Sequence, residues 1–304
     1  MSQCFDLICG TSTGAIVASA VATNTDPKRV IELFRREGPE IFRQSRVRTA
    51  LGKLVPTGLL SSRYRSDRLQ KALCAVLGES RLDEAATKLC IPAYDIAHRR
   101  TFYFRSYDSD TENIELWKAC LASSAAPTYF PIQMIEIATG DERYFIDGGV
   151  SANNPSGLGL AEGISLLRKN SLKETEEARD VQLISLGTGS STRNLTGRLE
   201  GTEGAVGWAS SILDVMFDGS SDVSNHIAEQ LLDNKSYVRL QFDLDLGKGS
   251  DDLDNTSVDN LRALQAAAAN HIQHGEGKAK FNQILNLLKP PKLARNRKPI
   301  GNVG

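Results

Sequence analysis

The chain has 304 residues, with 36 Lys and Arg against 37 Asp and Glu, for a formal net charge of −1. That balance gives no basic excess to suggest nucleic acid as a partner, and 40% hydrophobic with 24% charged residues excludes a largely disordered or fibrous chain. No apolar run reaches the ~18–20 residues of a membrane-spanning helix, and five cysteines scattered through apolar stretches suit a reducing compartment better than a disulfide framework or zinc site.

The first residues are apolar and include Ala18-Ser19-Ala20, which imitates a secretory cleavage site. The first basic residue is Lys28, however, and Asp6 interrupts the run, so no signal peptide is expected and the compartment reads as cytoplasmic. Residues 4–9 form a short apolar run halted by Gly10, as a buried strand would be. Residues 13–22, rich in Ala, Ile and Val, predict a helix, and Pro27 suits the first turn of a second one over 26–41. Segment 43–71 is unusually basic, with Asp67 its one acid.

Further along, helices are predicted near 66–77, 113–125 and 156–168, and strands near 89–96, 101–107, 132–137, 143–146 and 181–186. A longer helical stretch at 206–233, a strand at 237–243, and helices over 257–269 and 278–288 continue the alternation. Strands and helices of these lengths predict an α/β fold in three layers, with a mainly parallel central sheet and helices on both faces. One domain is expected over residues 1–288, and 289–304 reads as a basic, disordered tail.

Gly10-Thr11-Ser12-Thr13-Gly14 is a G-x-S-x-G pentapeptide placed after a predicted strand and before a predicted helix, the context of a nucleophile elbow. Such a turn strains the serine backbone, and side chains at Gly10 and Gly14 are expected to collide with neighbouring backbone. It presents the serine hydroxyl at a helix N-terminus, where the dipole and the N–H of Thr13 can meet a developing negative charge. A phosphate-binding P-loop would need Lys after the second glycine, and position 15 is Ala.

A serine nucleophile needs a base. Of the four histidines, His98 sits beside Arg99 and Arg100 between two strands, while His226, His271 and His274 lie in helical patterns. Asp147 ends a predicted strand and is followed by Gly148 and Gly149, which allow a sharp turn and close approach to the carboxylate. In isolation, Asp-Gly-Gly reads as a plain turn. Cys9 precedes the turn along its strand and is not expected to be the nucleophile.

Four motifs occur in order: Gly-Thr-Ser-Thr-Gly at 10–14, Ala-Ser-Ser-Ala-Ala-Pro-Thr-Tyr-Phe-Pro at 122–131, Asp-Gly-Gly-Val-Ser-Ala-Asn-Asn-Pro at 147–155, and Leu-Ile-Ser-Leu-Gly-Thr-Gly at 183–189. Together they resemble the patatin-like phospholipase family over nearly the whole chain. The resemblance implies a Ser–Asp dyad, with Ser12 as nucleophile and Asp147 as its base, and an acyl-enzyme hydrolysed by water. It implies lipid or phospholipid acyl esters as substrates and no metal or organic cofactor. The family also carries a glycine-rich oxyanion loop upstream of the elbow, whereas only residues 1–9 precede Gly10, so an N-terminally incomplete chain with weak activity is expected.

Segment 43–71 places Leu51, Leu54, Val55, Leu59 and Leu60 among its cations, from Arg43 to Lys71, which suits either peripheral contact with an anionic lipid surface or a solvated loop. Two other readings stand beside the dyad hydrolase. One is an α/β-hydrolase triad that adds His226 or His271; the other is a binding or storage protein that retains the fold without catalysis.

Overall fold

The structure, a computed structural model, describes residues 2–43, 62–170, 178–190, 195–196, 208, 211–244 and 250–288. Strand β1 (Leu7–Cys9) leads through a tight turn into helix α1 (Thr13–Ala22). Helix α2 (Pro27–Glu32) is capped by the Asp26 side chain, which accepts the Lys28 N–H at 2.9 Å. It runs on through a π-helical turn, Leu33–Glu37, into Gly38–Ile41.

Next come α3 (Ser66–Leu77), the hairpin β2 (Lys88–Asp95) and β3 (Arg100–Arg105), and α4 (Leu116–Ser123). A second hairpin, β4 (Gln133–Glu136) and β5 (Glu142–Asp147), is followed by the short α5 (Gly149–Ala152) and by α6 (Ser156–Asn170). The described chain ends with β6 (Leu183–Leu186), α7 (Ile212–Leu231), β7 (Tyr237–Leu240), α8 (Val258–Gln273) and α9 (Gly275–Leu288).

Pairing is parallel where helices separate the strands, between β1 and β2 and between β6 and β7. It is antiparallel where short turns join them, in β2–β3 and β4–β5, and again where β5 lies along β2. The α/β class expected from the alternation holds.

Strand alternation explains the layers. Leu89, Ile91 and Ala93 of β2 join Phe104, Phe145 and the inner faces of α1, α3 and α4 in one core. Cys9 and Cys90, paired in register, face the other way, toward α6. A side chain at Gly159 of α6 would lie 3.5 Å from Cys9 Sγ, so the helix crosses close to the strand. On the same face the Arg105 guanidinium and the Tyr107 hydroxyl donate to Glu162 of α6 at 2.6 and 2.7 Å. Helices therefore cover both faces. Leu160 of α6 anchors a second, smaller core with Ala228, Leu232 and Tyr237.

Two boundaries differ from the sequence reading for visible reasons. The first strand begins at Leu7, not residue 4, because Ser2–Cys4 form a 3-10 turn. Ser2 Oγ donates to the Asn24 side chain at 2.9 Å, and its carbonyl accepts Thr87 Oγ1–H at 2.7 Å. Helix α4 begins at Leu116, not near 113, because Thr111 Oγ1 donates to the Arg105 carbonyl and accepts its N–H, holding the preceding residues in turns. Residues 289–304, expected to be a disordered tail, lie outside the described residues.

Candidate active site

The turn from β1 to α1 is strained at one residue. Ser12 has φ 55° and ψ −121°, a conformation that costs a non-glycine residue about 1–3 kcal/mol and persists only where neighbours impose it. Gly10 makes the turn possible: a Cβ there would stand 2.2 Å from the Gly14 carbonyl oxygen and 2.7 Å from Ala18 Cβ. The collision expected at Gly14 is absent, since a Cβ there meets nothing within 4 Å. Gly14 instead contributes its N–H to the Thr11 carbonyl at 2.7 Å, a bond any non-proline residue can make. Thr13 is exposed at the first position of α1, and its N–H has no partner among the described residues.

Asp147 closes β5 and is 1% exposed. Its Oδ2 accepts the Ser12 Oγ–H at 2.8 Å, and its Oδ1 accepts the Gly149 N–H at 2.7 Å. Burial pushes its carboxyl up to about 7, against the downward pull of those two hydrogen bonds. Gly148 lies on the backbone of β2: a Cβ there would stand 2.2 Å from the Pro92 carbonyl oxygen. At Gly149 a Cβ would lie 2.9 Å from the Phe217 ring of α7, so this position is tight as well.

The two turns, 135 residues apart, meet because both strands end on one edge of β2. β1 runs parallel to β2 and stops at Cys9, opposite Cys90; β5 runs antiparallel and stops at Asp147, opposite Ala93. Their carboxyl ends thus point at one another across a short gap at residues 91 and 92. Gly10 N–H bonds the Cys90 carbonyl on that edge, and Ser106 N–H bonds the Leu89 carbonyl on the opposite edge. By alternation Pro92 faces the gap, where its missing N–H costs no ladder bond, and a proline is therefore tolerated in a central strand.

Ser123, the last residue of α4, occupies the gap. Its Oγ accepts the Ser12 N–H at 2.9 Å and donates to the Pro92 carbonyl at 2.7 Å. Sequence reading quoted Ser123 within the 122–131 motif but gave it no role, because nothing local shows that its hydroxyl meets a turn 111 residues away.

None of the four histidines bonds Ser12 or Asp147. His98 Nδ1 lies 2.8 Å from the buried Asp95 carboxylate and 2.9 Å from the Arg143 guanidinium, at the other end of β2. His226 is exposed on α7 and His274 is exposed between α8 and α9, while the His271 ring packs on Phe242 with centroids 5.7 Å apart. Cys9 points under α6 rather than into the turn. Among the described residues no group of three or more His, Cys, Asp or Glu side chains is placed to ligate a metal.

In the basic segment, Arg43 pairs with Glu40 at 3.3 Å, Arg63 with Asp254 at 2.8 Å and Arg65 with Asp67 at 3.1 Å. Arg68 donates to the Glu40 carbonyl. Arg46, Arg48, Lys53 and the five apolar residues interleaved with them lie outside the described residues.

A protein-family model described as "Patatin-like phospholipase" matches residues 1–158. "Patatin-like protein 1" of Oryza sativa subsp. indica is 32% identical over 298 residues, covering 87% of this chain and 70% of the relative. "Probable inactive patatin-3-Kuras 1" of Solanum tuberosum is 27% identical over 300 residues, covering 90% of this chain and 76% of the relative. Among solved structures, VipD from Legionella pneumophila covers 93% of this chain and 60% of its own, with a TM-score of 0.38 and 13% identity. By the family match over residues 1–158 and the identity to the rice protein, the chain belongs to the patatin-like phospholipase family.

Proposed function

We propose that the protein is a serine lipid acyl hydrolase in which Ser12 and Asp147 act as a dyad, carried by residues 1–288 as one unit. The observation that carries this reading is the 2.8 Å hydrogen bond from the strained Ser12 hydroxyl to the buried Asp147 carboxyl. Ionised Asp147 accepts the Ser12 proton as Oγ forms a bond to the acyl carbonyl carbon, and the carbonyl electron pair moves onto oxygen. The oxyanion faces the N–H of Thr13 and the positive end of α1. Collapse restores the carbonyl and breaks the ester C–O bond, and the departing alkoxide takes the proton held by Asp147. Water, deprotonated by the same carboxylate, then releases the fatty acid and regenerates Ser12.

The family match supports a lipid or phospholipid acyl ester as substrate. No helix among the described residues is long and apolar enough to cross a membrane, so the lipid surface would be met peripherally, with segment 43–71 as the proposed contact. A fluorophosphonate probe should label Ser12 alone, and Ser12→Ala should abolish both labelling and ester hydrolysis. Asp147→Asn should lose about 10⁴-fold in kcat, while replacing His98, His226, His271 and His274 with Asn should leave most activity. Undiminished labelling of Ser12→Ala would sink the assignment. The similarity to the Solanum relative described as "Probable inactive patatin-3-Kuras 1" supports, as the second reading, a protein that retains the fold without catalysis; a wild type no faster than Ser12→Ala on any acyl ester would favour it.

A further inference from the structure

We infer that Ser123 is a positioning residue of the dyad: its hydroxyl grips the backbone of the nucleophile while its carbonyl grips the turn that carries the base. Its Oγ accepts a hydrogen bond from the Ser12 N–H at 2.9 Å and donates one to the Pro92 carbonyl at 2.7 Å. Its backbone carbonyl accepts the Gly148 N–H at 3.1 Å, and the Ala125 carbonyl two residues on accepts the Asp147 N–H at 3.0 Å. One residue therefore touches the elbow, the central strand and the Asp-Gly-Gly turn.

The geometry explains why a hydroxyl is needed. On the edge of β2, β1 ends opposite Cys90 and β5 ends opposite Ala93, which leaves the Pro92 carbonyl without a strand N–H. The Ser12 N–H has likewise left the β1 ladder because its backbone is turned to positive φ. The pair consists of one orphan donor and one orphan acceptor. A group that accepts from the first and donates to the second must do both, which a hydroxyl can and a methyl cannot. Ser123 is fully buried, at the end of a helix packed in the main core. Its bond also opposes relaxation of the Ser12 backbone toward ordinary dihedrals, a movement that would swing Oγ away from Asp147. Since the Ser12 N–H is committed to Ser123, the elbow's own contribution to the oxyanion falls to the next N–H, that of Thr13.

The inference rests on the dyad reading, and its test keeps the two separable. Wild type, Ser12→Ala, Ser123→Ala and Ser123→Thr are compared on a nitrophenyl acyl ester across pH, together with amide hydrogen exchange resolved at residue 12. Ser123→Ala should lower kcat about 10- to 100-fold, the scale of an ångström-level misplacement, with KM within about twofold. The midpoint of its pH profile should move upward, because the Ser12 hydroxyl that helps keep the Asp147 carboxyl ionised is no longer held in place. Ser123→Thr, which keeps the hydroxyl, should restore both. Exchange at residue 12 should quicken at least tenfold in Ser123→Ala, and equally when Ser12→Ala is added, a readout that needs no turnover.

Wild-type kcat, pH midpoint and amide protection in Ser123→Ala would overturn the inference. So would equal losses in Ser123→Ala and Ser123→Thr with an unmoved midpoint and a protected amide, which would mark a merely structural role. Wild-type hydrolysis by Ser12→Ala would instead sink the dyad, leaving the exchange result to decide whether Ser123 grips the elbow.

Discussion

A carboxyl shut away from water as completely as that of Asp147 resists ionising, and this has consequences for both stability and rate. Below about 3.8, its ordinary value, the group is protonated in folded and unfolded chains alike. Between that point and about 7 the unfolded chain releases the proton and the folded chain keeps it, so stability falls as pH rises through this window. The full loss, about 4 kcal/mol at 1.36 kcal/mol per pKa unit, is present above the folded value. Asp147→Asn, neutral throughout, should therefore melt at a higher temperature than wild type near pH 8, with the difference vanishing near pH 4. Melting curves that stay parallel across that range would show that the carboxyl is not held high. Activity should run the other way: kcat/KM should rise with pH around a midpoint of about 7, because only the ionised form can accept the Ser12 proton.

At the scale of the elements, the two glycine-bearing turns make different demands on their backbones. Gly148 passes so close to β2 that Gly148→Ala must push the strand or the turn away, and the Asp147 carboxyl with it. A loss of about 3 kcal/mol or more in chemical denaturation is expected, together with loss of hydrolysis. Gly14, in the first turn of α1, has open space where a Cβ would go, so Gly14→Ala should fold as well as wild type or gain up to about 1 kcal/mol. Comparable destabilisation by the two substitutions would contradict the packing described. The Ser12 elbow holds its strain because Gly10, the Ser123 hydroxyl and the packed α1 helix each restrain a different part of it.

Across the molecule, the aromatic rings of Phe102, Phe104 and Phe145 pack within 5.2 Å of one another on the core face of the sheet, joining β3 to β5. Phe145 lies two residues before Asp147 and is fully buried, so it helps fix where β5 ends. Phe145→Ala should cost about 3–5 kcal/mol and lower the melting temperature. It should also weaken turnover in the molecules that remain folded, because the carboxyl of Asp147 is carried by the same short strand. A variant as active per folded molecule as wild type would show that β2 alone positions the base. On the opposite face, the Arg105–Glu162 pair at 2.6 Å and the Tyr107 hydroxyl tie α6 to the end of β3, and Asp108 stands as a second carboxylate 3.5 Å from Arg105.

The parts of this protein that depend on nearest neighbours were determined by its sequence alone. The strand–turn–helix at residues 7–22, the Asp-Gly-Gly turn and the alternation of helices and strands all follow from periodicity and from where glycine and proline stand. The poor placement of every histidine could be read in the same way. What required the tertiary structure was the meeting of these parts. Whether β5 runs with or against β2 depends on a ladder between residues far apart in the chain, and no local pattern encodes it. That antiparallel choice brings Asp147 head-on to the end of β1, opens the gap at Pro92 and makes a serine from an otherwise ordinary helix end the group that fills it. The space around Gly14 was decided in the same way, because a side chain's room is set by the neighbours that packing brings to it.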